Sequence, residues 1–252
     1  RGADIISEKD KYYFGRPGAY GQRRSNFIIQ NSDFLLSIGS RLSIPLIGRN
    51  YSTFARGAKK VIVDLDLKEI QKKTISYDVA INADAGEFLY EMRKAIKSET
   101  LPSFSDWIKQ CNYWSKKYNP IITEAYKHRK NINPYLFVSK LSEMLKENDT
   151  VVIDGGRSMN ILMQTFSIKN NQRLISATGL EHSGFMVPGL IGSSFLRENS
   201  VVYGICEESG LQLNVHNIQT LMDNNMKVKI IVLRTDNYSS IIETQKDYFR
   251  GR

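Results

Sequence analysis

Apolar runs of strand length alternate along this chain with stretches whose apolar residues recur every three or four positions. Residues 23–31 have helical spacing, and the runs DFLLSI (33–38) and KVIVDL (60–65) read as strands. A weaker strand covers 79–83, with helical spacing over 69–73 and 85–96. After residue 131 the alternation restarts. The pattern predicts helix 133–146, strand 151–153, helix 159–166, strand 173–176, helix 185–195, strand 201–206, helix 211–222 and strand 228–233. Strands that alternate with helices imply parallel sheets. The predicted fold class is therefore α/β, with two parallel-sheet, Rossmann-like domains.

The stretch between the two halves breaks the pattern. Residues 98–105 carry a proline among polar residues, and 106–129 read as one helix. Trp107, Cys111, Trp114 and Tyr118 fall on one face of that helix, a packing stripe. The expected organisation is a central domain over 1–100 that begins partway through, a helical linker over 101–131, and a second domain over 132–252.

Composition narrows the partners. The net charge is +9, but Lys and Arg are scattered among acids, as in DLDLKEIQKK and KLSEMLKEND, which are solvated helix faces. No basic stripe interleaves with aromatics, so no nucleic-acid partner is expected. No apolar run is long enough to span a bilayer, and the first residues have no charged-then-apolar signal layout, so no membrane partner is expected. Cys111 and Cys206 are far apart, and His128, His182 and His216 are dispersed, which argues against a zinc site. The cysteines read as reduced thiols of a cytoplasmic protein.

Three polar elbows follow predicted strands, at 154–158, 207–210 and 234–238, and a fourth loop covers 179–184. In an open parallel sheet such loops converge at the carboxyl ends of the strands, where ligands bind. Glycines allow backbone N–H groups to approach an anion, and helix N-termini at the same edge favour a phosphate.

In order and spacing these elbows resemble the diphosphate-and-metal motif of thiamine diphosphate (ThDP) enzymes, in particular acetolactate synthase-like ones. That motif begins Gly-Asp-Gly-Ser and ends in Asn-Asn; here the two parts read Glu207-Glu208-Ser209-Gly210 and Arg234-Thr235. The first half resembles the family's middle domain through Gly15, Gly18, Gly21, Gly39 and Arg41. That domain holds FAD in some members. FAD is not expected here, and Arg41 is expected to be paired at a domain surface. The resemblance implies cofactor contacts from Gly155, Gly156, Arg157, Ser158, Ser183, Glu208, Ser209, Gly210, Thr235 and Asn237. It implies Mg²⁺ ligation by the Glu208 carboxylate, the Thr235 side chain and the Asn237 backbone carbonyl, with Asp236 as a second available carboxylate.

Several letters depart from the family pattern. Ser183 stands where a methionine supports the bent cofactor, with Glu181 and His182 before it; His182 is expected to be a loop or interface residue. Glu207 brings a second negative charge towards a diphosphate position, a repulsion of roughly 1–4 kcal/mol per close pair near a surface. ThDP and Mg²⁺ are the implied cofactors, with affinity expected to be weak or absent. The family's activating glutamate sits on a pyrimidine-binding domain that precedes the middle domain, and nothing like it is present, so no catalytic residue is assigned. The implied reading is the C-terminal portion of a longer enzyme that decarboxylates a 2-keto acid and joins the product to a second carbonyl compound. The alternative is a non-catalytic homologue, a scaffold or regulatory subunit; a flavin or nucleotide module using the first domain is a third reading. The resemblance also implies a homodimer or homotetramer. The residues after the motif look most like relatives from bacterial polysaccharide biosynthesis.

Overall fold

The computed structural model describes residues 2–121, 131–177, 179–180, 182–196, 200–234 and 239–251. The chain divides into two compact units: Phe14–Asn119, and Arg1–Tyr13 together with Pro120–Arg252. Both are α/β, each with one wholly parallel sheet.

The unit Phe14–Asn119 contains α1 (Arg23–Gln30), β1 (Phe34–Ile38), α2 (Ile44–Ile47), β2 (Lys59–Asp64), α3 (Leu67–Gln71), β3 (Val79–Asn82), α4 (Ala85–Ile96) and α5 (Ser105–Lys117). Its sheet runs β1-β2-β3. The central strand buries Ile62 and Val63 completely. A second cluster gathers Leu42, Ile47, Phe54, Ala55 and Ala58. Asp84 starts α4 by accepting hydrogen bonds from the Gly86 and Glu87 amides at 2.7 and 3.2 Å. The aromatic stripe packs as its spacing predicts. Phe27 of α1 stacks on Tyr118 with ring centroids 4.6 Å apart, Trp107 meets Trp114 edge-on, and the Arg23 guanidinium lies over Tyr118. The helix predicted over 106–129 ends at Lys117, because Pro120 removes an amide donor and disfavours a helical residue before it. Residues 122–130 lie outside the described residues.

The other unit contains α6 (Pro134–Met144), β4 (Thr150–Ile153), α7 (Arg157–Thr165), β5 (Arg173–Ser176), α8 (Met186–Leu196), β6 (Val202–Glu207), α9 (Glu208–Leu213), α10 (Ile218–Asp223), β7 (Val228–Leu233) and α11 (Ser239–Phe249). Its strand order is β5-β4-β6-β7. From β4 the chain goes to one side, to β5, then returns past β4 to β6. The switch point, where the loops after adjacent strands part, therefore lies between β4 and β6.

Both of these strands are covered on two faces, as central parallel strands must be. Val151 and Ile153 of β4 and Ile205 of β6 pack with α6 and α7 residues Val138, Met159 and Leu162. Val152 of β4 and Val202 and Cys206 of β6 face α8 through Met186, Val187 and Leu190. Two glycines let α8 lie close on the sheet. A Cβ at Gly204 would fall 2.4 Å from the Met186 sulfur, and one at Gly189 would fall 2.6 Å from a Val152 methyl. Asp4 accepts hydrogen bonds from the Arg173 side chain and the Leu174 amide at 2.8 and 3.0 Å, tying the first residues to β5.

The helix predicted over 211–222 is interrupted. Asn214 leaves the helical region, a short 3-10 turn covers Val215–Asn217, and α10 follows. The Asn214 side chain is engaged elsewhere: its amide donates to the Gly184 carbonyl at 2.7 Å and its oxygen accepts from Asn217 at 3.0 Å. Such contacts compete with helix continuation.

Candidate functional site at the β4–β6 switch point

Asp154 directly follows β4 and is 1% exposed. Its carboxylate accepts two backbone amides, from Phe185 at 2.8 Å and from Gly184 at 3.0 Å. It thereby pins the loop that leads into α8. Asn214 holds the Gly184 carbonyl from the other side. Gly184 itself has φ +91°, and a Cβ there would fall 2.8 Å from the Asn214 amide nitrogen. Gly210, on α9, packs against the same carboxylate: a Cβ on it would fall 1.7 Å from Asp154 Oδ2. A glycine at position 210 is thus required by contact with a buried acid.

The next two residues turn the chain into α7. Gly156 is the residue before the helix, with φ 90° and ψ −154°, a conformation that L side chains rarely adopt. It has no side chain to cap the helix. The cap comes instead from β6: Glu207 Oε1 accepts the Ser158 amide, in the first turn of α7, at 2.9 Å. The carboxylate also lies over Gly156, 3.5 Å from where a Cβ would stand. A carboxylate here is favoured both by the hydrogen bond and by the positive end of the helix dipole.

Strand parity explains why Glu207 reaches α7. β6 extends through Glu207, so Glu207 lies on the same face as Ile205, the face packed by α7. Glu208 begins α9 and turns the other way, its carboxylate 3.7 Å from the Arg234 side chain just beyond β7. Charge accumulates at this tip. Burial, and secondarily the negative charges of Asp154 and Glu207, push the Cys206 thiol up to about 12.

The residues expected to contact a cofactor distribute as follows. Gly155, Gly156, Ser183 and Ser209 line one cleft together with Asp154 and Glu207, and Leu213 and Ile241 add apolar wall. Ser158 is buried, with its amide on Glu207. Gly210 is buried against Asp154. Arg157 is exposed at the first position of α7. His182 is exposed, with its ring against the Ser183 carbonyl. Thr235, Asp236 and Asn237 lie outside the described residues, as does Glu181. In the other unit, Arg41 pairs with Glu69 at 3.2 Å on the surface. Asp154 and Asn214 organise the edge but were not among the expected contacts. The available signal was an aspartate directly after a wholly apolar strand.

Comparison with known proteins decides the lineage. Residues 1–92 match the model of the thiamine pyrophosphate enzyme central domain, and residues 154–252 match that of the thiamine pyrophosphate enzyme C-terminal TPP binding domain. The chain belongs to the thiamine diphosphate-dependent, acetolactate synthase-like family. Its whole length aligns with the acetolactate synthase large subunit of Pyropia yezoensis at 26% identity and with the probable acetolactate synthase large subunit of Methanococcus aeolicus at 26%. It aligns equally completely with the acetolactate synthase isozyme 2 large subunit of Escherichia coli K12 at 23%. The chain spans 42%, 43% and 44% of these three relatives, covering their middle and C-terminal parts.

Among the described residues, the chain's own side chains engage this edge. The Ser158 amide in the first turn of α7 is taken by Glu207, and Glu208 is directed at Arg234. Among the described residues, no group of three or more His, Cys, Asp or Glu side chains is placed to hold a metal ion.

Proposed function

We propose that the edge between β4 and β6 is the diphosphate-type ligand edge of an acetolactate synthase-like protein. On this reading the full-length polypeptide acts on 2-keto acids, by decarboxylation and carboligation. The observation that carries it is the meeting of Gly155-Gly156, Ser183 and Ser209 in one cleft at the switch point, inside a region that matches a TPP-binding domain. Bound ThDP supplies the carbanion chemistry in such reactions. The chain's own contribution is to position loops: Asp154 and Asn214 fix the loop before α8, and the glycines open backbone amides to a ligand. The same reading takes residues 1–100 as the middle domain, 101–131 as a helical linker and 132–252 as the diphosphate-binding-type domain. It takes Glu208, Thr235 and Asn237 as the magnesium ligands, and Arg157, Ser158 and Gly210 as further cofactor neighbours. It makes the protein a cytoplasmic homodimer or homotetramer of bacterial polysaccharide biosynthesis. None of the described helices is long and apolar enough to cross a membrane. The test is to incubate the full-length protein with pyruvate, ThDP and Mg²⁺. Acetolactate is expected; its absence, with no other 2-keto acid consumed, would sink the enzyme reading.

One observation favours a second reading. Glu207 on the Ser158 amide and Glu208 on Arg234 leave the edge satisfied by the chain itself. A scaffold or regulatory subunit that keeps the fold without the cofactor accounts for that arrangement. Restoring Asp at Glu208 and Asn at Thr235 separates the two: cofactor binding gained only by the double variant favours the non-catalytic homologue.

A further inference from the structure

We propose that the Glu207 carboxylate is the resident anion of this edge: it caps α7 in the place open to a ligand phosphate, and an anionic ligand must displace it to bind. The inference rests on the reading of this edge as the diphosphate edge and concerns how that edge is controlled. Three independent features support it. The residue before α7 is a glycine with positive φ, which lines the cleft and offers no side-chain acceptor of its own. The acceptor arrives from a different strand, with Glu207 Oε1 at 2.9 Å from the Ser158 amide and Gly156 beneath it. Glu207 also lines the cleft itself, so the carboxylate occupies ligand-facing space.

The chemistry of displacement follows. A phosphate oxygen would take the same amide and the same dipole field, so carboxylate and phosphate are alternatives at one position. The neighbouring Asp154 carboxylate, held by two amides in the same cleft wall, is a further like charge and not a countercharge. With Glu207 in place, a diphosphate meets a like charge at close range; with Glu207 removed, it meets an uncapped helix start. Glu207 therefore sets the threshold for anionic ligands, and its removal turns a self-sufficient helix end into a receptive one.

The experiment uses the full-length protein, as wild type, Glu207→Gly and Glu207→Gln, and follows thermal unfolding with added inorganic pyrophosphate and, separately, with ThDP plus Mg²⁺. Without ligand, Glu207→Gly should unfold at lower temperature than wild type, because α7 loses its cap. Pyrophosphate should restore much of that loss while leaving the wild type unmoved, and titration should show binding tighter by about tenfold or more. Glu207→Gln keeps an acceptor for Ser158 without the charge. It should unfold near the wild type and bind pyrophosphate with intermediate affinity, so it carries the test if the glycine variant does not fold. Equal stabilisation of all three proteins by pyrophosphate, or unchanged affinity in both variants, overturns the proposal. The two readings fail separately: pyrophosphate rescue without acetolactate formation keeps Glu207 as the resident anion and removes the enzyme reading. Acetolactate formation with equal affinities does the reverse.

Discussion

Replacing Gly210 by alanine tests whether the buried Asp154 carboxylate organises this edge. The added methyl would stand 1.7 Å from Asp154 Oδ2 and 3.5 Å from the Gly184 amide nitrogen, so one of them must move. The carboxylate cannot retreat without weakening its bonds to the Gly184 and Phe185 amides, at 3.0 and 2.8 Å. Hydrogen bonds to a charged group contribute about 1.5–3 kcal/mol each, and overpacking costs about 1–3 kcal/mol. Gly210→Ala should therefore destabilise the unit by about 3 kcal/mol. Asp154→Ala should cost a similar or larger amount, since it strands two amides away from water. In the Asp154→Ala background the obstacle is gone. There the alanine should be neutral, or stabilising by up to about 1 kcal/mol through helix propensity in α9. The coupling of about 3 kcal/mol is the signature. Each unit holds one buried free cysteine, which supplies the assay. Alkylation of Cys206, resolved by mass spectrometry under native conditions, reports opening of the unit around β6, while Cys111 is the internal control. Gly210→Ala should accelerate Cys206 alkylation by about a hundredfold in the wild-type background and hardly at all beside Asp154→Ala. Equal acceleration in both backgrounds, or parallel acceleration of Cys111, would refute the reasoning.

Three further expectations are simpler to measure. The Cys206 thiol, pushed up from 9.0 to about 12, favours the folded state through its neutral form. The folded chain holds that proton longer than the unfolded one, so the contribution is fully present below pH 9.0 and fades as pH rises towards about 12; the urea midpoint should fall more steeply there for wild type than for Cys206→Ala. Gly204→Ala drives a methyl to 2.4 Å from the Met186 sulfur and 2.7 Å from a Leu190 methyl, and should lower stability by about 1–3 kcal/mol; an unchanged melting temperature would mean α8 does not lie against β6 as described. Arg234→Ala removes a 3.7 Å ion pair whose arginine is 83% exposed, and should change stability by less than about 0.5 kcal/mol; a loss beyond about 1 kcal/mol would show that Glu208 depends on it.

The alternation of apolar runs and helical spacing made both parallel sheets legible, because buried parallel strands such as Thr150–Ile153 need a continuous apolar run. The short helix Ile44–Ile47 and the turn Tyr51–Thr53 were not legible, since neither is long enough to display a period. Splitting of the predicted 211–222 helix depends on Asn214 reaching Gly184, thirty positions away along the chain, and no local pattern announces such a partner. The same applies to Asp4, whose partners Arg173 and Leu174 lie 169 and 170 positions away along the chain. At the site, the order of the loops was readable, but the direction of each acid was not. Reading β6 to Cys206 instead of Glu207 shifts its end by a single residue. That residue decides whether Glu207 belongs to a loop or to the strand face that looks at α7.

That one-residue difference bears on how such an edge can change while its fold persists. Amides at a ligand-facing helix start or loop need acceptors, and where a ligand supplies them its loss leaves them to water or unsatisfied. Here the chain supplies acceptors itself. Glu207 takes the Ser158 amide and Asp154 takes those of Gly184 and Phe185, while the Asn214 amide donates to the Gly184 carbonyl. The scaffold between β4 and β6 therefore gains these hydrogen bonds on folding without any ligand. Stability and ligand affinity are uncoupled at Asp154, which only holds the loop. They are opposed at Glu207, where the contact that completes α7 is also the contact that excludes an anion. A substitution that weakens the first should strengthen the second, and this trade-off distinguishes a resident carboxylate from a charged side chain that merely lies nearby.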